Sequence, residues 1–99
     1  MLHIINKSPF QTSTLESCLR MAQPGSAVLF IEDGVYAATT GTTIEARIRQ
    51  AGASLKLYAL QPDLDARGVG TKLIDGITTV DYAGFVDLTV EYPTSHSWL

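Results

Sequence analysis

Hydrophobic and polar residues follow one another along the chain in blocks that predict strands and helices in alternation. The segment Ala27–Ile31 is an unbroken apolar run, which is typical of a strand that is buried on both faces of a parallel sheet. Short apolar segments at Leu2–Asn6 and Ile77–Val80, and an alternating β-rich segment at Leu55–Leu60, predict three further strands. The stretches between these four predicted strands are long enough to hold helices.

Between the first two strands, apolar residues recur at the spacing of one helix face. They are Leu15, Cys18, Leu19 and Ala22. Ser13 or Thr12 can cap this helix, and Glu16 follows Ser13 at the spacing of a capping box. The pair Pro24-Gly25 ends the helix and turns the chain into the central strand.

A second helical region follows the central strand. The polar turn Glu32–Gly34 separates it from the strand, and Gly34 is free to adopt a positive φ. The helix begins at Val35, is interrupted by Gly41, and then resumes with Gly52 as its C-cap. The resumed part presents one apolar face, formed by Ile44, Ile48 and Ala51.

Two more helices complete the pattern. A short one opens at Pro62 and ends near Arg67. Asp81 can cap the last helix, which Pro93 ends, and the polar tail Thr94–Ser97 follows. The residues predicted to face inward from this helix are Tyr82, Phe85, Val86, Thr89 and Val90.

The regular alternation predicts an α/β fold, with residues 1–99 forming a single domain. We expect a three-layer α/β/α sandwich around a mostly parallel sheet of four to five strands, of the flavodoxin-like kind. Ligands and partners usually meet such a sheet at the carboxyl ends of its strands. Any site should therefore lie beside Glu32–Gly34, which follows the central strand.

Composition adds an expectation about partners. Of the 99 residues, 45% are apolar and only 17% are charged, which is little charge for a small soluble domain. Apolar surface therefore remains exposed on the isolated chain, and exposed apolar surface usually marks a contact with a partner. We expect a subunit of an assembly and not a free monomer.

Charge and hydropathy exclude other classes. The net charge of −3 and the lack of a basic stripe argue against a dedicated nucleic-acid-binding protein. No apolar run reaches the roughly 18 residues that span a bilayer, and the first residues do not resemble a signal peptide. A single cysteine excludes an internal disulfide. The sequence predicts a cytoplasmic protein that binds neither nucleic acid nor membrane.

The sequence predicts no metal or cofactor site. Glu32 and Asp33 are adjacent carboxylates without a third ligand nearby, and we expect them to cap the following helix or pair with a basic residue of a neighbouring subunit. The segment Arg67–Lys72 resembles part of an anion-binding loop but lacks its full spacing. His3 and His96 stand at opposite ends of the chain without supporting ligands.

A self-standing small-molecule-binding domain is a rival hypothesis. It would need a phosphate-cradling turn after the first strand, where glycines let the backbone approach the ligand. The chain has Asn6–Phe10 there, with no glycine. This rival is therefore disfavoured.

Five segments together resemble the DsrH/TusB family, in its order and spacing and closer to DsrH. They are LHIINKSPF, VLFIEDGVYAA, KLYALQPDLDARG, VDYAGFVDLT and the terminal Trp98-Leu99. The resemblance covers nearly the whole chain. It implies a DsrE-like fold and the smallest of three related subunits.

The same resemblance implies a function. The partners would be a DsrE/TusD-like and a DsrF/TusC-like subunit, in a cytoplasmic heterohexamer with two copies of each. Such a sulfurtransferase complex relays persulfide sulfur to or from a small carrier protein of the DsrC/TusE type. One branch serves dissimilatory sulfur oxidation and the other serves 2-thiolation of the tRNA wobble uridine. The principal active cysteine is implied to lie on the DsrE/TusD-like partner.

Cys18 allows two interpretations. A cysteine within LESCLR resembles the DsrH proteins of sulfur oxidisers, which favours that branch and makes Cys18 a candidate catalytic nucleophile or persulfide acceptor. The residue pattern equally makes Cys18 a small hydrophobe on an apolar helix stripe, where free cysteine is commonly buried. In the second case the chain is a purely structural interaction subunit with an inert thiol.

Aromatic residues supply the candidates for a partner interface. Trp98 and Leu99 follow a polar run with no local core to fill, and tryptophan is favoured at interface centres. We predict that these two residues dock on a neighbouring subunit or back onto this domain. Tyr36, just after the polar turn, is a further interface candidate.

Overall fold

The computed structural model describes residues 1–98, so the predicted role of Leu99 lies outside the described residues. The strands are β1 (Leu2–Ile5), β2 (Ala27–Phe30), β3 (Lys56–Leu60), β4 (Thr78–Val80) and β5 (Ser95–Trp98). The α-helices are α1 (Thr14–Met21), α2 (Glu45–Ala51), α3 (Gln61–Ala66) and α4 (Tyr82–Glu91). Two 3₁₀ helices lie at Glu32–Ala38 and Gly70–Lys72.

The five strands form one parallel sheet in the order β4-β3-β2-β1-β5. β2 lies at its centre and all four of its residues are buried, as the unbroken apolar run predicted. The predicted mostly parallel α/β sheet is confirmed. The fifth strand comes from the segment whose sequence indicated only a polar tail, and Ser95 lies opposite Leu2 while Trp98 lies opposite Ile5.

Helices cover the two faces unequally. The first three crossovers step in one direction across the sheet, and the last one returns to the opposite edge beside β1. Since such crossovers are right-handed, the first three place their helices on one face and the last places α4 on the other. The larger apolar cluster accordingly joins α1, the first 3₁₀ helix, α2 and α3 to the sheet, whereas the smaller one joins α4 to it.

The predicted inward face of α4 is wrong in part. Leu88 is buried and Phe85 half-buried, but Tyr82, Val86 and Val90 are 61%, 61% and 76% exposed. At 100° per residue, these three side chains lie on the side of the helix opposite Leu88. The helix has more apolar residues than one face can turn inward.

The polar turn after β2 also differs from the prediction. The chain enters a 3₁₀ helix directly at Glu32, and the positive φ belongs to Glu32 (50°) and not to Gly34. Gly34 is needed for a different reason, because a Cβ there would lie 2.2 Å from the carbonyl oxygen of Ile5. Glycine therefore lets this helix pack directly on the end of β1.

Only some of the helix caps predicted from the sequence are present in the structure. Asp81 caps α4 as predicted, because its Oδ1 accepts a 2.8 Å hydrogen bond from the Gly84 amide. Ser13 occupies the N-cap position of α1 without a side-chain hydrogen bond, and Glu16 forms an ion pair of 3.3 Å with Arg47 instead of a capping box. Gly52 is the C-cap of α2, but with an ordinary right-handed φ of −62°.

The packing of Gly34 generates a stability prediction. We expect Gly34→Ala to lower the free energy of unfolding by about 1–3 kcal/mol, because the added methyl group must displace backbone of β1. Gly52→Ala is the matched control, since its Cβ would meet nothing closer than 3.4 Å and should change stability by less than about 1 kcal/mol. Urea titrations of both variants measure the difference. Equal stabilities would show that the close approach to Ile5 is not a constraint.

Candidate functional site

The thiol of Cys18 lies inside the protein. Cys18 occupies the middle of α1 and is fully buried, within the larger apolar cluster that also contains Ile5 and Val28. Burial raises the pKa of the Cys18 thiol to about 12. At neutral pH the thiolate fraction is therefore negligible, and the thiolate is the form that attacks sulfur.

No charged group offsets the effect of this burial on the Cys18 pKa. Desolvation is the sole cause of the shift, and Arg20, two residues further along α1, is exposed. Cys18 also lies too far from the start of α1 to benefit from the dipole of its N-terminus. In this fold the thiol packs among the apolar side chains of the core.

The carboxyl edge of the sheet is occupied by contacts within the chain. Asp63 Oδ2 accepts a 2.6 Å hydrogen bond from the Glu32 amide, which fixes the turn after β2 to the start of α3. Arg67 forms an ion pair of 3.0 Å with Asp33 and donates to the Asp63 carbonyl at 3.3 Å. These groups link two loops, and their polar atoms are engaged with one another. Asp33 therefore pairs with a base of its own chain and not with one of a neighbouring subunit, and no side chain caps the helix that follows.

Tyr36 lies in the 3₁₀ helix that follows this turn. Its side chain is half-buried, and its carbonyl oxygen accepts hydrogen bonds from the amide and the hydroxyl of Thr39, at 3.3 and 2.8 Å. These bonds end the helix. The predicted interface role of Tyr36 stays a prediction.

Two histidines and a tryptophan meet at the edge of the sheet, a cluster that the sequence did not predict. Register places His96 beside His3 on adjacent strands, although 93 positions separate them in the sequence. Trp98 Nε1 donates a 3.1 Å hydrogen bond to His3 Nδ1, and the Trp98 and His96 rings are 4.6 Å apart. Trp98 thus packs back onto its own domain, one of the two positions expected for it.

A cavity of about 250 Å³ adjoins this aromatic cluster. It is lined by Met1, His3, Met21, Gln23, Ser26, His96 and Trp98. Burial lowers the pKa of His3, and the neighbouring His96 and terminal amino group lower it further. His3 therefore favours the neutral form, whose Nδ1 can accept the hydrogen bond from Trp98.

Within residues 1–98, no group of three or more His, Cys, Asp or Glu side chains is placed to hold a metal ion. The described part of the chain also contains no helix with the length and apolar character needed to cross a bilayer.

Burial of Cys18 predicts low reactivity. We expect Cys18 in the folded chain to react with iodoacetamide at least about a hundredfold more slowly than in the urea-unfolded chain, because the buried thiol has a raised pKa. Mass spectrometry of timed samples measures both rates. Alkylation of the folded chain at the rate of the unfolded one would contradict the burial.

The His3–Trp98 hydrogen bond predicts a dependence of stability on pH. The lowered pKa of His3 contributes stability that is present above its ordinary value of 6.5 and is lost as the pH falls. We expect the free energy of unfolding to decrease between about pH 8 and about pH 5.5, followed through the fluorescence of Trp98, the single tryptophan. His3→Asn keeps an acceptor without titrating and should reduce this decrease, whereas the control His96→Asn should retain most of it. Identical pH profiles for the wild type and His3→Asn would refute the role of His3.

Comparison with known proteins places the chain in a family. The family model described as DsrH-like protein matches residues 7–95. Protein TusB of Pectobacterium parmentieri is 37% identical over 98 residues, and Protein TusB of Escherichia coli K12 is 38% identical, each alignment covering 99% of this chain and 100% of the relative.

Solved structures with low sequence identity share the fold. The ychN protein of E. coli superposes with a TM-score of 0.84 at 19% identity, over 97% of both chains. The protein MTH1491 of Methanobacterium thermoautotrophicum superposes with a TM-score of 0.75 at 17% identity, over 97% of this chain and 95% of that one. The three-layer fold is therefore shared, and on the sequence matches over its whole length the chain belongs to the DsrH/TusB family.

Proposed function

We propose that this chain is a subunit of a cytoplasmic sulfur-relay complex, in which it organises partner subunits while the reactive cysteine belongs to one of them. The partners are a DsrE/TusD-like and a DsrF/TusC-like subunit, and the assembly is a heterohexamer. The observation that carries the proposal is the state of Cys18, the chain's one thiol, which is fully buried and has a pKa raised to about 12.

The chemistry of sulfur relay explains the importance of this burial. An acceptor thiolate attacks the outer sulfur of a persulfide, the S–S bond breaks, and the donor leaves as a thiolate while the acceptor becomes the persulfide. The acceptor must therefore be ionised and must be reached by the donor protein. Cys18 meets neither condition in this fold, so another chain must supply the acceptor.

The surface supports a role in assembly. Six large apolar side chains are well exposed on a chain with few charges: Met1, Phe10, Met21, Tyr82, Val86 and Val90. Covering them with partner subunits removes apolar area from water, which favours association. Trp98, which is half-buried at the edge strand β5, remains a proposed interface residue.

Two branches of sulfur relay are open to such a subunit. Dissimilatory sulfur oxidation with a DsrC-type carrier is proposed because Cys18 stands within LESCLR, as in the DsrH proteins that the sequence resembles. The second candidate is 2-thiolation of the tRNA wobble uridine with a TusE-type carrier, which the relatives named TusB favour. Offering both carriers to the persulfide-loaded complex distinguishes the branches by the carrier that takes up sulfur.

The proposal predicts that Cys18 is dispensable for sulfur transfer. After the complete complex is incubated with a persulfide donor, we expect the mass increase of about 32 Da, one sulfur atom, on a partner subunit and not on this chain. Cys18→Ala should leave the rate of transfer to the carrier within about twofold of the wild type, because the thiol is neither ionised nor accessible.

Two controls make this experiment decisive. Thermal unfolding of the variant complex checks that loss of a buried side chain has not dissociated it, and a wild-type complex with all thiols alkylated gives the background. A sulfur adduct on Cys18, together with a large loss of transfer in Cys18→Ala, would contradict the proposal.

A further inference from the structure

Helix α4 is apolar on two opposite sides. Its inner side carries Leu88 and Phe85, which pack on the second face of the sheet. Its outer side carries Tyr82, Val86 and Val90, spaced four residues apart, and all three are exposed. At 1.5 Å per residue, this outer stripe is about 12 Å long.

The start of α4 is fixed by a cap, and its orientation on the sheet by a close contact with β4 and by its inner side chains. Asp81 caps the helix through the Gly84 amide at 2.8 Å. Gly84 also lies so close to β4 that a Cβ there would be 2.9 Å from Cβ of Val80. A rotation of the helix that turned the outer stripe inward would break the contact with β4 and expose Leu88 and Phe85 to water. The outer stripe is therefore a stable feature of the surface.

A surface helix normally presents polar residues to water, and a helix that is apolar all round is normally buried. α4 is also the only helix among the described residues that joins the smaller apolar cluster. The composition of α4 is thus that of a helix covered on both sides. In the described part of the chain, only its inner side is covered.

The charges around the outer stripe identify the kind of partner. Asp87 and Glu91 follow one flank of the stripe, Asp81 lies at its start, and α4 contains no lysine or arginine. A second copy of this chain would bring no basic group on its own α4, and antiparallel pairing would place the carboxylates of both copies side by side. A different chain with a basic flank would complement this surface.

We propose that the outer stripe of α4 docks an apolar helix face of a different subunit, flanked by lysine or arginine that pairs with Asp87 and Glu91. This inference rests on the proposed function, because the partner is one of the two other subunits of the relay complex. Residues spaced by four form a ridge that fits the groove of a facing helix. The interface would then have an apolar centre and, along one side, a charged rim.

Paired variants test the apolar centre. Val86→Gln/Val90→Gln replaces two of the three apolar side chains of the stripe with helix-compatible residues at exposed positions, so the chain should still fold. The matched control is Ala46→Gln on α2, at an exposed apolar position of a helix on the opposite face of the sheet. We expect the double variant to raise the apparent Kd for the partner subunits by about tenfold or more, and the control to leave it within about twofold.

Charge reversal tests the rim. Asp87→Lys/Glu91→Lys should slow association and reverse its dependence on salt, because rim charges act mainly on the association rate. Asp75→Lys, at an exposed acid in the loop before β4, is the control. It should change neither the association rate nor its dependence on salt. Biolayer interferometry against the separately purified partner subunits gives both rates, and circular dichroism verifies folding of each variant.

The outcomes separate this inference from the proposed function. If the wild type assembles with the two partner subunits and both α4 variants assemble equally well, the docking surface is wrong and the function stands. If the wild type does not assemble with them, the proposed function and this inference both fail. If the stripe instead mediates a homodimer that native mass spectrometry detects and Val86→Gln/Val90→Gln abolishes, the commitment to a different subunit is wrong.

Discussion

A parallel sheet has apolar side chains on both faces, and each face must be covered to keep them from water. In this chain three crossovers run in one direction and one runs back, so the helices are divided unequally between the faces. The central strand β2 is buried on both sides, and residues such as Leu29 rely on α4 alone for cover on the second face. The apolar inner side of α4 follows from this division, since one helix covers the second face.

Contacts within the chain explain why the described residues present no obvious reactive centre. At the carboxyl edge of the sheet, where α/β proteins usually bind ligands, Asp33, Asp63 and Arg67 are engaged with one another. Gly34 brings the first 3₁₀ helix directly onto the end of β1, which fills the space between the loops. The one thiol, that of Cys18 on α1, is buried between this helix and the sheet. The exposed apolar side chains of the surface remain available for contacts with other molecules.

Features encoded by local patterns could be predicted from the sequence. The apolar run of β2, the helix stripe containing Cys18 and the cap at Asp81 all depend on neighbouring residues, and the structure has them as expected. The strand β5 could not be recognised, because Ser-His-Ser-Trp lacks the apolar alternation of a strand and is ordered by pairing with β1. The meeting of His3 with His96 likewise depends on register between distant segments. The orientation of α4 was mispredicted since apolar residues on its outer side were assigned to the core.

Amide hydrogen exchange, compared between the isolated chain and the chain assembled with its partner subunits, tests most directly whether the second face of this sheet is completed by another protein. The account predicts that assembly slows exchange in α4 (Tyr82–Glu91) more than in α2 (Glu45–Ala51), which lies on the face that this chain already covers with its other helices. An assembled complex in which exchange in α4 is unchanged would contradict the account.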